Sequence, residues 1–177
     1  LIFAILYWND EQSYDQWNTE KDKVFVSINQ VAHGEYWSTN VAPLGNYLKK
    51  DFPEVETYCY FDNWYNSENV RYGNRKEIFK IIDAQQPFFA CFPFHFIHGT
   101  AQSAIKDASC IALSDKAAQK LFGAENPMGK QVIYGGKQLT VNGVYTIPGK
   151  SSLAPEAVTH LIENRMDGDK DNWGNFS

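Results

Sequence analysis

Residues 109–152 read SCIALSDKAAQKLFGAENPMGKQVIYGGKQLTVNGVYTIPGKSS, and this stretch decides the fold. Ile111, Ala112 and Leu113 form a short apolar run that ends at Ser114. The Ser114 hydroxyl is placed to accept from an amide left without a partner in a first helical turn. Asp115 then puts a negative charge at the positive end of the helix dipole. Ala117, Ala118, Leu121 and Phe122 recur at helical spacing and give one apolar face about two turns long. Gly123 stands where a left-handed C-cap is needed, and Pro127 keeps the helix from resuming. Two strand-like runs follow, 131–134 and 138–145, joined by Gly135-Gly136 as a two-residue hairpin turn. In the second run Leu139, Val141 and Tyr145 fall on one face, which is expected to be buried. Strand, capped helix and hairpin make a small module with no chemistry of its own.

Three blocks of this stretch resemble the MacB-like periplasmic core domain of FtsX-like ABC-transporter permeases. They are Leu113-Ser114 with Ala118 and Leu121-Phe122-Gly123, then Asn126-Pro127-Met128-Gly129-Lys130, then Leu139 to Tyr145. The family pattern is L-S-x-x-x-A-x-x-L-F-G, D/N-P-h-G-K and F/L-x-V-x-G-V-h, with h apolar. Three blocks in order at short intervals are far more specific than any one of them. Residues 10–17, DEQSYDQW, resemble the segment that follows the first membrane helix in that family, E-x-S-Y-D-x-F/W.

The 177-residue chain is 44% apolar, enough for a real core in one domain or two small lobes. A net charge of −5 argues against a nucleic-acid backbone or an anionic membrane surface as partner. Cys59, Cys91 and Cys110 contain no C-x-x-C pair, and an odd number excludes a fully paired disulfide framework. Which two of them pair, if any, is open at this point.

Leu1 to Trp8 is apolar but far short of the ~20 residues that cross a bilayer, and it lacks the basic start of a signal peptide. Two readings fit it: a buried N-terminal helix, or the outer end of a transmembrane helix with Tyr7 and Trp8 at the interfacial belt. The resemblance favours the second. Residues 23–29 form the first expected strand, with Val24, Val26 and Ile28 on one face. A helix is expected over 41–52, capped by Thr39 or Asn40, with Leu44, Tyr47 and Leu48 inward. A second strand is expected at 55–61, and a hairpin of 70–72 with 77–82 around Gly73-Asn74. After Pro148 a short helix is expected over 154–166, starting near Pro155 with Val158, Leu161 and Ile162 inward.

Residues 83–99, DAQQPFFACFPFHFIHG, crowd five Phe and two His together. The run resembles the connector that leads out of the family's first lobe. His95 and His98 have a spacing that zinc uses, but a site needs three or four ligands. His33 and His160 are isolated and Cys91 stands four residues before His95, so a hydrophobic plug edged by two histidines is the preferred reading. No G-x-S-x-G elbow, P-loop or H-E-x-x-H is present. The acidic loop 167–172 lacks the glycine and distal Glu of an EF-hand.

The expected fold is α+β in two small lobes. One is a membrane-proximal α/β sandwich-like lobe at 23–89, the other an inserted strand–helix–hairpin lobe at 109–152. Residues 1–22 are read as the end of a transmembrane helix with its connecting segment, 90–108 as a connector, and 153–177 as a return segment of a domain incomplete at its C-terminal end. The resemblance implies a domain on the periplasmic side of the inner membrane of a bacterium, coupling cytoplasmic ATP hydrolysis to movement outside. Its implied partners are a cytoplasmic ATP-binding subunit or domain, a second permease subunit and a periplasmic protein, with no nucleic acid. No catalytic residue, cofactor or metal is expected. Two rivals are a secreted ligand- or carbohydrate-binding module using Trp37, Trp64 and Tyr65, and a metal-dependent hydrolase using His95 and His98.

Overall fold

The computed structural model describes residues 2–30, 34–62 and 66–161. Helix α1 (Ile2–Glu11) is followed by a 3-10 turn at Lys21–Lys23 and a minimal hairpin, β1 (Asn29–Gln30) with β2 (Tyr36–Trp37). Then come α2 (Leu44–Asp51), the hairpin β3 (Asn66–Tyr72) and β4 (Arg75–Ala84), the one-turn α3 (Phe88–Cys91) and β5 (His95–Gly99). The one-turn α4 (Ala101–Ala104), β6 (Cys110–Ser114), α5 (Asp115–Phe122), the hairpin β7 (Gln131–Tyr134) and β8 (Lys137–Thr146), and β9 (Ala157–His160) complete the order. The class is α+β, as expected.

Seven strands form one sheet in the order β5-β8-β6-β9-β4-β3-β7. Strand β7 pairs with β8 as well as with β3, so six of the strands curl into a ring and β5 is appended outside it. The sheet therefore spans the boundary expected between the two lobes: β3 and β4 come from the first segment, and β6, β7 and β8 from the second. Both faces are covered. On one, Val70, Phe79, Ile81, Ile111, Leu113, Val132 and Leu139 pack against Ala117, Leu121 and Phe122 of α5. On the other, Ile82, Ala112 and Val158 pack with Phe88, Phe89, Phe94, Ile105 and Tyr145. A strand buried on both faces needs an unbroken apolar run rather than alternation, which is what Ile111-Ala112-Leu113 supplies.

The module at 109–152 forms as its residues dictate. Ser114 Oγ accepts from Ala117 N at 3.2 Å. Gly123 ends α5 at φ +67°, a conformation that L side chains rarely adopt. Arg75 Nη1 donates to the Leu121 carbonyl at 3.2 Å and satisfies part of that helix end. One expectation inside the module is corrected. The pairing of β6 with β8 shifts register between Ile111 and Ala112, whose partners are Val141 and Gly143, so Asn142 is an extra residue in β8. Because the side-chain period of a strand is two, one extra residue exchanges the faces beyond it. Val144 thus joins Leu139 and Val141, while Tyr145 lies in the opposite core and donates to the Pro155 carbonyl at 2.8 Å. Gly143 is needed at the bend, where a Cβ would stand 2.8 Å from the Phe96 ring and 3.0 Å from Ala104 Cβ.

Four other expectations are corrected. Residues 154–166 hold no helix at 157–160 but the central strand β9, parallel to β4 and antiparallel to β6. Pro155 and the spaced apolar residues fit either element, and a four-residue run between two partners decides for the strand. Residues 24–28 make no ladder, and Phe25, Val26 and Ile28 are exposed. Residues 55–61 contribute one bridge, Phe61 to Ala84. Helix α2 starts at Leu44 with Pro43 as its capping residue, and its first turn is capped from afar, by Tyr60 Oη accepting from Gly45 N at 2.9 Å. Asn40 instead ties residues 27–29 to 38–40, and Tyr47, expected inward, is exposed.

Glu156 joins four of these elements. Its N–H donates to the Lys80 carbonyl and its carbonyl accepts from Ser114 N, each at 2.8 Å. Its carboxylate accepts from Lys80 N at 3.0 Å and from Lys120 Nζ at 2.8 Å. Partial burial pushes this carboxyl up, but the Lys120 ammonium and the Lys80 N–H outweigh it and leave it below the ordinary glutamate value. A lowered folded-state value means a contribution present above the unfolded pKa and lost as pH falls through the folded one. Glu156→Gln is expected to lower stability at pH 7 by about 1 kcal/mol, given partial exposure. The gap between the two proteins in thermal melts is expected to close as pH falls below the ordinary glutamate range, and a gap independent of pH would contradict the ionic contribution. Ser114→Ala is expected to cost about 1 kcal/mol, and Gly123→Val more, since a branched residue is strained at positive φ. Melts that match the wild type would contradict the role given to these caps.

Candidate functional site

Residues 13–17, Ser-Tyr-Asp-Gln-Trp, join α1 to the body of the domain, and they do so against the turn that leaves β8. Asp15 is the pivot. It has φ +56°, a left-handed conformation that Asp tolerates better than most residues. Its N–H donates to the Lys150 carbonyl at 2.9 Å. Its carboxylate accepts from Ser151 Oγ at 2.8 Å, from Ser152 Oγ at 2.5 Å, and from Ser152 N at 3.2 and 3.3 Å. Several donors converging on one carboxylate make the charge-assisted kind of hydrogen bond, about twice as strong as a neutral one.

Trp17 doubles this attachment. Its Nε1–H donates to the Lys150 carbonyl at 3.2 Å and its ring packs on Phe94 at 5.4 Å. Lys150 Nζ pairs with the Asp10 carboxylate at the end of α1 and lies 5.7 Å from the Tyr14 ring centre. The Asp10 carboxylate pushes the Lys150 ammonium above its usual value. Ser13 Oγ donates to the Asp10 carbonyl at 2.6 Å and closes the end of the helix. Asn18, buried at 5% exposure, accepts from Glu20 N at 2.9 Å and holds the chain in its turn beyond Trp17. Nothing here is arranged to do chemistry on a bound molecule. What it does is fasten a helix to a sheet.

The residues weighed for other functions lie elsewhere. His95 and His98 are exposed at the two ends of the edge strand β5. His160 ends β9, with Nδ1 2.8 Å from the Ile105 carbonyl. Among the described residues no three His, Cys, Asp or Glu side chains gather as metal ligands. Trp37 stands half-exposed on β2 beside the exposed Tyr36. Trp64, Tyr65 and His33 lie outside the described residues, as do residues 162–177. A shallow open groove of about 180 Å³ runs between Ile97 and His98 of β5 and Asp115, Ala118 and Gln119 of α5.

The model of the MacB-like periplasmic core domain matches residues 1–167 of the chain. The chain belongs to that family. A domain of a Porphyromonas gingivalis protein described as a permease has a similar fold, with a TM-score of 0.66 at 21% identity. The match covers 81% of this chain and 67% of that one. The periplasmic region of MacB from Actinobacillus actinomycetemcomitans is similar at 19% identity and a TM-score of 0.48, over 75% of this chain and 58% of that one. The extracellular domain of the noncanonic ABC-type transporter YknZ from Gram-positive bacteria is similar at 20% identity and a TM-score of 0.44, over 63% of this chain and 57% of that one. No curated protein matches.

The chain is thus a MacB-like periplasmic core domain by family, and its α+β fold is shared with the solved Porphyromonas gingivalis domain. The resemblance at 10–17 now has a physical content: Ser13, Tyr14, Asp15 and Trp17 each make a contact of the junction. Their partners, Lys150, Ser151 and Ser152, were not legible as a site. They lie far off in sequence and look like an ordinary polar turn.

Asp15→Asn keeps the tolerance for positive φ but removes the charge. It is expected to cost about 1–2 kcal/mol. In a double-mutant cycle with Ser152→Ala the two losses are expected to be non-additive by at least about 0.5 kcal/mol. Additive losses by chemical denaturation would contradict a shared hydrogen-bond network.

Proposed function

We propose that this domain is the extracytoplasmic part of a permease in the inner membrane of a bacterium, and that it relays movement driven by ATP hydrolysis in a cytoplasmic subunit or domain. A second permease subunit and a periplasmic protein are its proposed partners. The domain has no catalytic residue, cofactor or metal in this reading. The observation that carries it is the clamp of Asp15 and Trp17 on residues 150–152. Helix α1 presents Phe3, Ile5, Leu6, Tyr7 and Trp8 to the outside, a surface suited to the membrane boundary. Among the described residues no helix is long and apolar enough to cross a membrane.

The clamp makes α1 and the sheet one rigid lever. A shift of α1 enters the turn between β8 and β9, which are both interior strands of the sheet. Relays of this kind need a rigid coupling between packed states rather than a flexible tether.

The test uses the parent permease with its ATPase in nanodiscs, carrying spin labels at Glu11, at Lys76 and at the lipid surface. Between nucleotide-free and ATP-trapped states the separation of Lys76 from the lipid is expected to change while that of Glu11 from Lys76 stays fixed. With Asp15→Asn the Glu11–Lys76 distribution is expected to broaden. A Glu11–Lys76 distance that changes with nucleotide in the wild type would overturn the rigid relay. A domain that never moves relative to the lipid would overturn the reading itself.

A further inference from the structure

Three cysteines stand in this chain as free thiols, and the structure treats them differently. Cys110 is buried at 1% exposure in β6, receives a hydrogen bond from Asn142 Nδ2 at 2.9 Å and donates to Asp107 Oδ1 at 3.3 Å. Cys59 and Cys91 are both partly exposed, and Cys91 is the last residue of α3. Cys59 Sγ is 3.7 Å from the Gln85 carbonyl, the same oxygen that accepts from Phe88 N at 2.9 Å. Cys91 is one helical turn beyond Phe88, where positions three apart share a face. Phe61 follows Cys59 by two residues in extended chain, and its ring touches those of Phe88 and Phe92 at 5.6 and 5.8 Å. Residues 59 and 61 therefore address the same side of α3 that carries residue 91.

We propose that Cys59 and Cys91 close an intramolecular disulfide when the domain meets a disulfide oxidant, while Cys110 remains a thiol. Its occurrence in the cell rests on the periplasmic placement proposed above, since that compartment is oxidising. The step balances by exchange. The Cys91 thiolate attacks one sulfur of the oxidant disulfide and releases one thiol, forming a mixed disulfide. The Cys59 thiolate then attacks the Cys91 sulfur and releases the second thiol. Two protein thiols are oxidised, one disulfide is reduced, and the two protons leave on the released thiols. Burial, with a smaller effect of the neighbouring Cys91 charge, pushes the Cys59 thiol well up, and burial alone raises Cys91 less. Cys91 is for that reason the thiol that meets the oxidant first.

The bond would matter because, among the described residues, 55–61 pair with the sheet at a single bridge. They are joined to the sheet by the bridge from Phe61 to Ala84, with neighbouring hydrogen bonds from Tyr60 N to Gln85 Oε1 and between residues 62 and 83. Tyr60 in turn caps α2. A link from Cys59 to α3 fixes this whole segment to the aromatic core.

The purified protein is incubated with oxidised glutathione, freed of it, unfolded in guanidinium chloride with N-ethylmaleimide so that the buried Cys110 is reached, and weighed intact. The expected result is a loss of about 2 Da, for two hydrogens, with a single maleimide added, and peptide mapping that joins Cys59 to Cys91 and finds maleimide on Cys110. Cys59→Ser and Cys91→Ser are each expected to abolish the loss. If a variant fails to fold, the peptide map of the wild type decides. Stable glutathione adducts without ring closure, or a link that includes Cys110, would overturn the pairing. Thiol trapping of the exported parent protein separates the two readings. A pair that closes in the tube but stays reduced in the cell counts against the periplasmic placement and not against the geometry.

Discussion

Four residues, Ala157–His160, hold this domain together by entering the middle of its sheet. Strand β9 pairs with β4 on one side, parallel, and with β6 on the other, antiparallel. It is what joins the hairpin of residues 66–84 to β6 in that region of the sheet. Its side chains serve both cores at once: Ala157 faces α5, and Val158 faces the phenylalanine cluster. Thr159, buried, donates its hydroxyl to Asp83, its neighbour in the β4 ladder. A small, a branched and a hydrogen-bonded residue in succession suit a strand with packed layers above and below, because the one buried hydroxyl among them has its partner in Asp83.

That insertion explains which parts of the fold are strong. Around β9 the interior strands carry Ile81 and Ile82, Ile111 to Leu113, and Val141 with Val144, all buried. Burial of side chains this size is worth roughly 1.5–3 kcal/mol each. The phenylalanine run packs as a web instead of a stripe. Phe88 lies 5.1 Å from both Phe89 and Phe92, and Phe94 stacks on Tyr145 at 5.2 Å. By contrast the segment 24–52 leans on side-chain hydrogen bonds of Asn40 and Tyr60 and leaves Phe25, Val26 and Tyr36 exposed. The domain has one dense body and one light appendage.

The same division marks what could be read from the residues alone. The stretch 109–152 was legible because each of its signals is local: a cap, a helical stripe, a left-handed glycine and a two-glycine turn all act within a few residues. Strand β9 was not legible, because Pro155 and spaced apolar residues also fit a helix, and only the gap between β4 and β6 makes a strand of it. The exchange of faces at Tyr145 depends on one extra residue, Asn142, and a bulge leaves little trace in a pattern of period two. Residues 24–28 alternate as a strand should, yet among the described residues they join no ladder, which no local pattern reports. The junction was half legible. The resemblance marked Ser13 to Trp17, while the carbonyl of Lys150 and the donors of Ser151 and Ser152 belong to a turn whose composition carries no sign of a partner.

The turn that receives the clamp is also the one that feeds β9, and this links stability to the proposed relay. Between Thr146 and Ala157 the chain is fastened at both ends. Residues 150–152 hold Asp15 and Trp17, and Tyr145 Oη reaches the Pro155 carbonyl. Glu156 then locks onto Lys80, Ser114 and Lys120 before the strand begins. In the proposed relay, a load arriving at Asp15 would therefore be divided. Part would return into β8 and part would run forward through Glu156 to β4, β6 and α5. Because β9 is bonded along both edges, a pull along it shears two ladders together instead of unzipping one pair at a time. A strand at the edge would peel under the same pull. In the proposed relay, a receiving strand at the centre of the sheet would let a helix attached by a handful of hydrogen bonds move the whole body without opening it.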